Sequence, residues 1–322
     1  ANTRLQEALL ASNSTEIDVN RTARGVIVFL PLDSVKFDKE LKALFLSISV
    51  MRTYQPATMK TDLIVCSPRA GFAFPASLGC TERVRTSFQD PEGCILVEHV
   101  PLKERPGLPH PLVEYANYID SMLVLSEFHN HQGYSVLMRT DLDTFLTPGF
   151  GQWTLPNNTV IVTGRGGYGS ENANRHLDWV MKTPLKMKNE GHMGVGSTWV
   201  GHSLVMVAAA KLTVSSMIWL HTQEFSIYEK HHAGTDGWPY WHWPVLLLYG
   251  GHIAVNQIPK PQVFVTTSNE GIQMDYGTTS NATMPDSVLH IHCWHTDELF
   301  SKFRFSLGQY KELDLGPYLG LN

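Results

Sequence analysis

The chain has 322 residues, 43% of them hydrophobic, and a formal net charge of −5. That is enough to bury a large core in one domain or two. The mild acidity, with no Lys/Arg run or basic stripe, argues against a nucleic-acid binder, and no apolar run is predicted to span a membrane; 204–220 comes closest, interrupted by Lys211 and several Ser/Thr.

Residues 1–23 are polar and without apparent periodicity, which predicts a stalk or loosely docked arm ahead of one domain over 24–322. GVIVFLPL (25–32) is a continuous β-branched run, typical of a strand covered on both faces. DKELKALFLSISVMRTY (38–54) has helical apolar spacing, and TDLIVC (61–66) is the next strand. Strand, helix, strand is the opening of a parallel α/β sheet. CILVEHV (94–100) reads as a strand, 110–131 as a long helix, and YSVLM (134–138) as the strand after it. Further on, TVIVTG (159–164) is a short strand, and a helix starts near Glu171. The Gly-rich GHMGVGSTWVG (191–201) precedes a helix over 202–220. GTDGWPYWHWPVLLLYGG (234–251) predicts a helix capped by Thr235 or Asp236, while 251–258 and 287–294 are strand-like. No repeat, low-complexity tract or clear linker divides the chain.

The N-x-S/T pattern occurs at Asn13, Asn20, Asn157 and Asn281. The sequence begins at Ala1, without Met or signal peptide. Together these favour a secretory-pathway protein: a Golgi lumenal ectodomain whose anchor lies outside this sequence, or a secreted chain. Of four cysteines, Cys80 and Cys94 flank a polar segment and are placed to close a surface loop by disulfide. Cys66 and Cys293 lie in apolar runs, where buried free thiols are expected.

The most informative stretch is YSVLMRTDLDTFLTP (134–148). An apolar strand runs into Arg139, and then two carboxylates, Asp141 and Asp143, sit two apart. In an extended segment residues i and i+2 point the same way, about 6.5–7 Å apart. A sheet interior is a costly place for two like charges. A divalent cation between them resolves the conflict, and Mg²⁺ or Mn²⁺ leaves positions open for substrate phosphates.

This arrangement, a βαβ start and a mid-chain apolar strand ending in Asp141-Leu142-Asp143, resembles the GT-A-fold glycosyltransferases. The resemblance covers the chain from about Gly25 in order of elements, and the D-x-D is its one sharp motif. It implies an α/β fold with a Rossmann-like, mixed, mostly parallel sheet flanked by helices. It implies Mn²⁺ or Mg²⁺ as cofactor, a nucleotide-sugar donor, UDP-linked by analogy, and a glycan or glycoprotein acceptor. Many such families add a metal-binding histidine near the C-terminus; His292 is the first choice here and His290 the second, with His295 just beyond. Lys302 is placed to meet a phosphate, and Asp141 and Leu142 to line the donor. Pro31, Leu32 and Asp33, after the first strand, are expected at the base and ribose. Arg139 either offsets the motif's charge or reaches the donor sugar. Asp236, beside Trp238, Trp241 and Trp243, is the candidate base or acceptor anchor, although Trp241 and Trp243 read better as core.

Two other readings compete. The H-x-H-x-x-H spacing of His290, His292 and His295 is that of metallo-β-lactamase-like zinc hydrolases, but Trp294 stands where that pattern has Asp. A GT-A-like domain that binds carbohydrate without transferring it is the second.

Overall fold

Strand β1 (Thr22–Phe29) is buried along its whole length. Its alternate residues enter two different cores: Ile27 and Phe29 pack into one, Val26 and Val28 into the other. β2 (Met59–Ser67) does the same, with Ile64 and Cys66 on one side and Leu63 and Val65 on the other. Their C-terminal halves, 25–29 and 63–66, therefore read as unbroken apolar runs, because neither face meets water. In the computed structural model, the residues described are 2–14, 21–32, 35–106, 116–168, 170–225, 241, 243–266, 272–277, 287–293, 304 and 307.

β1 and β2 belong to a seven-stranded sheet with β3 (Cys94–Glu98), β4 (Val136–Arg139), β6 (Ile161–Arg165), β7 (Val195–His202) and β8 (Val263–Val265), in the order β3-β2-β1-β4-β7-β6-β8. β7 is antiparallel to both neighbours, and the other pairings are parallel. This is the mixed, mostly parallel α/β sheet expected from the sequence. Helix α2 (Val35–Thr53) covers one face together with the short α3 (Ala73–Ser77) and α5 (Pro148–Gln152). α1 (Asn2–Ser14), α4 (Ala116–Ser126), α6 (Glu171–Lys182), α7 (Ser203–Trp219) and α8 (Leu246–Val255) cover the other. Ser170 caps α6, its hydroxyl accepting from the Ala173 amide at 3.2 Å. A second, three-stranded sheet, β5-β10-β9, joins β5 (Thr144–Leu146), β9 (Tyr276–Gly277) and β10 (His290–His292).

Two local expectations are corrected, and two further segments are specified by the fold. Residues 2–14 form a helix rather than an arm: Leu5 and Leu9, with Ala8 beside them, make an apolar stripe packed on α7. Within the Gly-rich 191–201 segment, residues 195–201 belong to the antiparallel strand β7. Residues 251–255 are helical, not a strand. Short apolar runs are ambiguous, and here Gly250 decides: a Cβ there would lie 2.6 Å from Met217 Cγ and 2.9 Å from the Thr213 carbonyl, so α8 and α7 touch through backbone. Finally, Ser203–Phe225 is long and apolar enough to cross a membrane by length and composition, yet 72% of its most apolar window is buried. It is a core helix.

α8 also carries a pH-sensitive group. His252 is buried, and Tyr168 Oη, which accepts from the Val195 amide, lies 3.1 Å from its Nδ1. Burial, with a smaller contribution from His192 and against the pull of Asp178, pushes its pKa down from 6.5 to about 4. The folded state therefore binds fewer protons than the unfolded state as the pH falls through that window, and stability falls with it. Between pH 7 and pH 4.5, wild type is expected to lose about 2.5 kcal/mol more than His252→Gln. Urea unfolding of both proteins at the two pH values measures this; equal losses would exclude His252 as the cause.

Candidate active site

β4 ends at Arg139, whose register partners are Ile27 on β1 and Trp199 on β7. The guanidinium is buried, and four of its donations stay within the protein. Nε reaches the Ser121 carbonyl at 3.2 Å, Nη1 the Ser197 carbonyl at 2.8 Å, and Nη2 both Ser121 Oγ at 2.8 Å and Asp141 Oδ1 at 2.7 Å. Arg139 was expected either to offset the motif's charge or to reach the donor sugar; its Nη2 pairs with Asp141, and the side chain is 1% exposed. It clamps α4, β7 and the D-x-D together.

Asp141 is held at both oxygens, since Ser197 Oγ donates to Oδ2 at 3.1 Å. Leu142, in the bend between β4 and β5, turns into the core. Asp143 points back to the side of Asp141. Its carbonyl accepts from the Cys293 amide at 3.0 Å, and Thr144 pairs with His292 across β5 and β10. This backbone junction carries the C-terminal histidine to the motif. His292 Nε2 lies 3.5 Å from Asp143 Oδ1 and 4.0 Å from Asp141 Oδ2.

One ligand atom from each of Asp141, Asp143 and His292 lies within 4.8 Å of the others. An octahedral cation with bonds of about 2.1 Å needs donors about 3 Å apart when adjacent and about 4.2 Å apart when opposite. The observed separations fit with small side-chain shifts. Two carboxylates and one imidazole suit a divalent first-row cation, and Asp141, 30% exposed, leaves the site open on one side for further ligands.

His290 does not join this cluster. It is fully buried, with Nε2 2.8 Å from Thr140 Oγ1 and Nδ1 turned to Asp275, 3.2 Å from its amide nitrogen and 3.3 Å from Oδ1. Strand alternation explains the detail: His290 and His292 share a face of β10, but the two rings reach different partners. Asp275 was not anticipated. Its Oδ1 also accepts from Thr198 Oγ1 at 2.6 Å and lies 3.4 Å from His292 Nδ1. Burial alone would push its carboxyl pKa up; the contacts from His290 and His292 outweigh this and hold it well below the usual range. His292 is opposed by burial in turn, yet Asp143 and Asp275 together raise its pKa well above the ordinary value. No sequence signal marks Asp275, Ser197 or Thr198 beyond the glycines near them.

Pro31 and Leu32 follow β1 directly, and Leu32 is 38% exposed. Because β1 and β4 are parallel neighbours, both open onto the same sheet edge as the D-x-D. Trp241 is buried and stacked on Tyr249 and Phe225, and Trp243 packs against the same core. Asp33, Asp236, Trp238, His295 and Lys302 lie outside the described residues.

The model of a family described as a domain of unknown function, DUF7164, matches residues 18–318. The chain belongs to this family. No curated protein matches the DUF7164 chain. Among solved structures it is similar to the apo form of WbbM, a bifunctional glycosyltransferase, at TM-score 0.46 and 9% identity over 95% of this chain and 52% of that one. It is also similar to apo mouse xyloside xylosyltransferase 1 (TM-score 0.41, 9% identity, 80% of this chain and 88% of that one). A third is the mannosyltransferase Ktr4p from S. cerevisiae in complex with GDP (TM-score 0.35, 9% identity, 79% and 75%). The DUF7164 chain spans about half the length of WbbM.

Proposed function

We propose that this chain is a metal-dependent glycosyltransferase. It would move a sugar from a nucleoside-diphosphate sugar, UDP-linked in the first instance, to a hydroxyl of a glycan or glycoprotein. The observation that carries the reading is the convergence of Asp141, Asp143 and His292 where β4 leaves a mostly parallel sheet, the edge at which open α/β sheets bind ligands.

Asp141, Asp143 and His292 would hold Mn²⁺, or Mg²⁺, which supplies positive charge against the departing diphosphate. The protein's own contribution is preorganisation. Arg139 and Ser197 fix both oxygens of Asp141, so the carboxylate does not reorient during reaction. Pro31, Leu32 and Asp33 are assigned to the base and ribose, Lys302 to the diphosphate, and Asp236 to the acceptor hydroxyl as base or anchor. The zinc-hydrolase reading is weakened, because His290 is committed to Thr140 and Asp275.

A secretory location, in the Golgi lumen or outside the cell, belongs to the same proposal. It is supported by the Cys80–Cys94 disulfide, present as expected from the spacing, and by Asn157, exposed at a turn where Asn158 has φ 63°. Cys66 and Cys293 are buried and lie outside the disulfide.

The test is thermal unfolding with UDP, GDP and CMP, each with and without Mn²⁺. One nucleotide at 100 times its Kd should stabilise the protein by about 2.7 kcal/mol, and only with metal present. No shift with any nucleotide, but a shift with Zn²⁺ alone, would reject the transferase.

A further inference from the structure

Asp275 sits where a carboxylate is expensive. It is buried, its φ of 54° is in the left-handed region, and it lies between the sheet and the site. Two strands make room for it. A Cβ on Gly164 of β6 would stand 1.8 Å from Asp275 Oδ2, and a Cβ on Gly196 of β7 would stand 2.7 Å from the same atom. Any side chain at either position would evict the carboxylate. A buried ion held this way needs partners, and Oδ1 has them: the Thr198 hydroxyl at 2.6 Å, His290 Nδ1 at 3.3 Å and His292 Nδ1 at 3.4 Å.

The direction of these contacts matters. His292 turns Nδ1 to Asp275 and Nε2 to Asp143 and Asp141. A carboxylate behind an imidazole keeps the proton on the near nitrogen, fixes the ring plane, and leaves the far nitrogen's lone pair free and more basic. Asp275 lies on the Nδ1 side of the imidazole, away from Asp143 and Asp141 on its Nε2 side.

We propose that Asp275, seated in the recess cleared by Gly164 and Gly196 and held by Thr198, is the positioning residue that orients His292 Nε2 toward the metal site formed with Asp141 and Asp143. This rests on the metal-dependent reading above. It adds an outer carboxylate, supplied by a different segment of the chain, on which the site's affinity depends.

The test measures Mn²⁺ affinity by the electron paramagnetic resonance signal of the free ion, on wild type, Asp275→Asn, His292→Ala and the double variant. Unfolding in EDTA is followed in parallel to report the fold. Asn has the shape of Asp, so a merely structural role would tolerate it. The expected result is a loss of about 10- to 100-fold in Mn²⁺ affinity for Asp275→Asn. In the His292→Ala background the same change should cost less than about 2-fold, because the effect runs through the imidazole. Unchanged affinity in Asp275→Asn, or an equal loss in both backgrounds, overturns the proposal while leaving the metal site standing. Failure of wild type to bind Mn²⁺ overturns both. If Asp275→Asn does not unfold cooperatively, Thr198→Val decides: it removes the 2.6 Å bond and should weaken Mn²⁺ binding about 5-fold, the equivalent of one hydrogen bond, whereas wild-type affinity would overturn the proposal.

Discussion

Asp143→Asn is expected to weaken Mn²⁺-dependent nucleotide binding by about 100-fold or more, beyond what loss of an outer-shell partner costs. The reason is geometric. Asp141 is anchored by Arg139 and Ser197, and His292 by Asp275, so the cluster has two preset donors and Asp143 completes it. An amide in its place offers one weak oxygen donor and no charge. The fold should survive: the Asp143 carbonyl, not its side chain, accepts the Cys293 amide that joins β5 to β10. Nucleotide-dependent thermal shifts with and without Mn²⁺, beside unfolding in EDTA, separate the two effects. Retained metal-dependent nucleotide binding in a folded Asp143→Asn protein would remove the D-x-D from the mechanism.

Arg139→Met should be the costliest single change near the site, at about 3 kcal/mol of stability. Breaking a buried ion pair costs about 3–5 kcal/mol, and the lower end applies because Asp141 is 30% exposed and water can reach it. The Ser121 and Ser197 carbonyls lose their donors as well. Arg139→Lys should recover only part of the loss. A single ammonium cannot span the four acceptors on α4, β7 and the D-x-D, which the guanidinium fork does. Chemical denaturation measures both variants, and a Met variant within about 1 kcal/mol of wild type, the range of an exposed pair, would show that the clamp is not structural.

Much of the scaffold was legible from local pattern. β1 and β2 show as β-branched runs because both faces are buried, α2 by its apolar spacing, and α6 by a helix start near Glu171. The two aspartates were read together from the spacing of an extended segment; in the fold they stand in the bend between β4 and β5, with Leu142 turned into the core. Elements without a distinctive local signal were missed. α1 has one apolar stripe within a polar segment, β7 is rich in glycine, and the 251–255 stretch of α8 is apolar on every side, so period gives no direction.

The amino-acid order by itself determined the alternation of strands and helices, the carboxylate pair at the end of β4, and the histidines that compete to join it. Only the tertiary structure decided between those histidines. His290 and His292 have the same residue type and the same strand face, and they differ in what the folded chain brings opposite each: Thr140 for one, Asp143 for the other, with Asp275 touching both. The register of β10 on β5 sets that choice across some 150 residues. A pairing of that range leaves no periodic trace, because it is stabilised by contacts that exist only once both segments are in place.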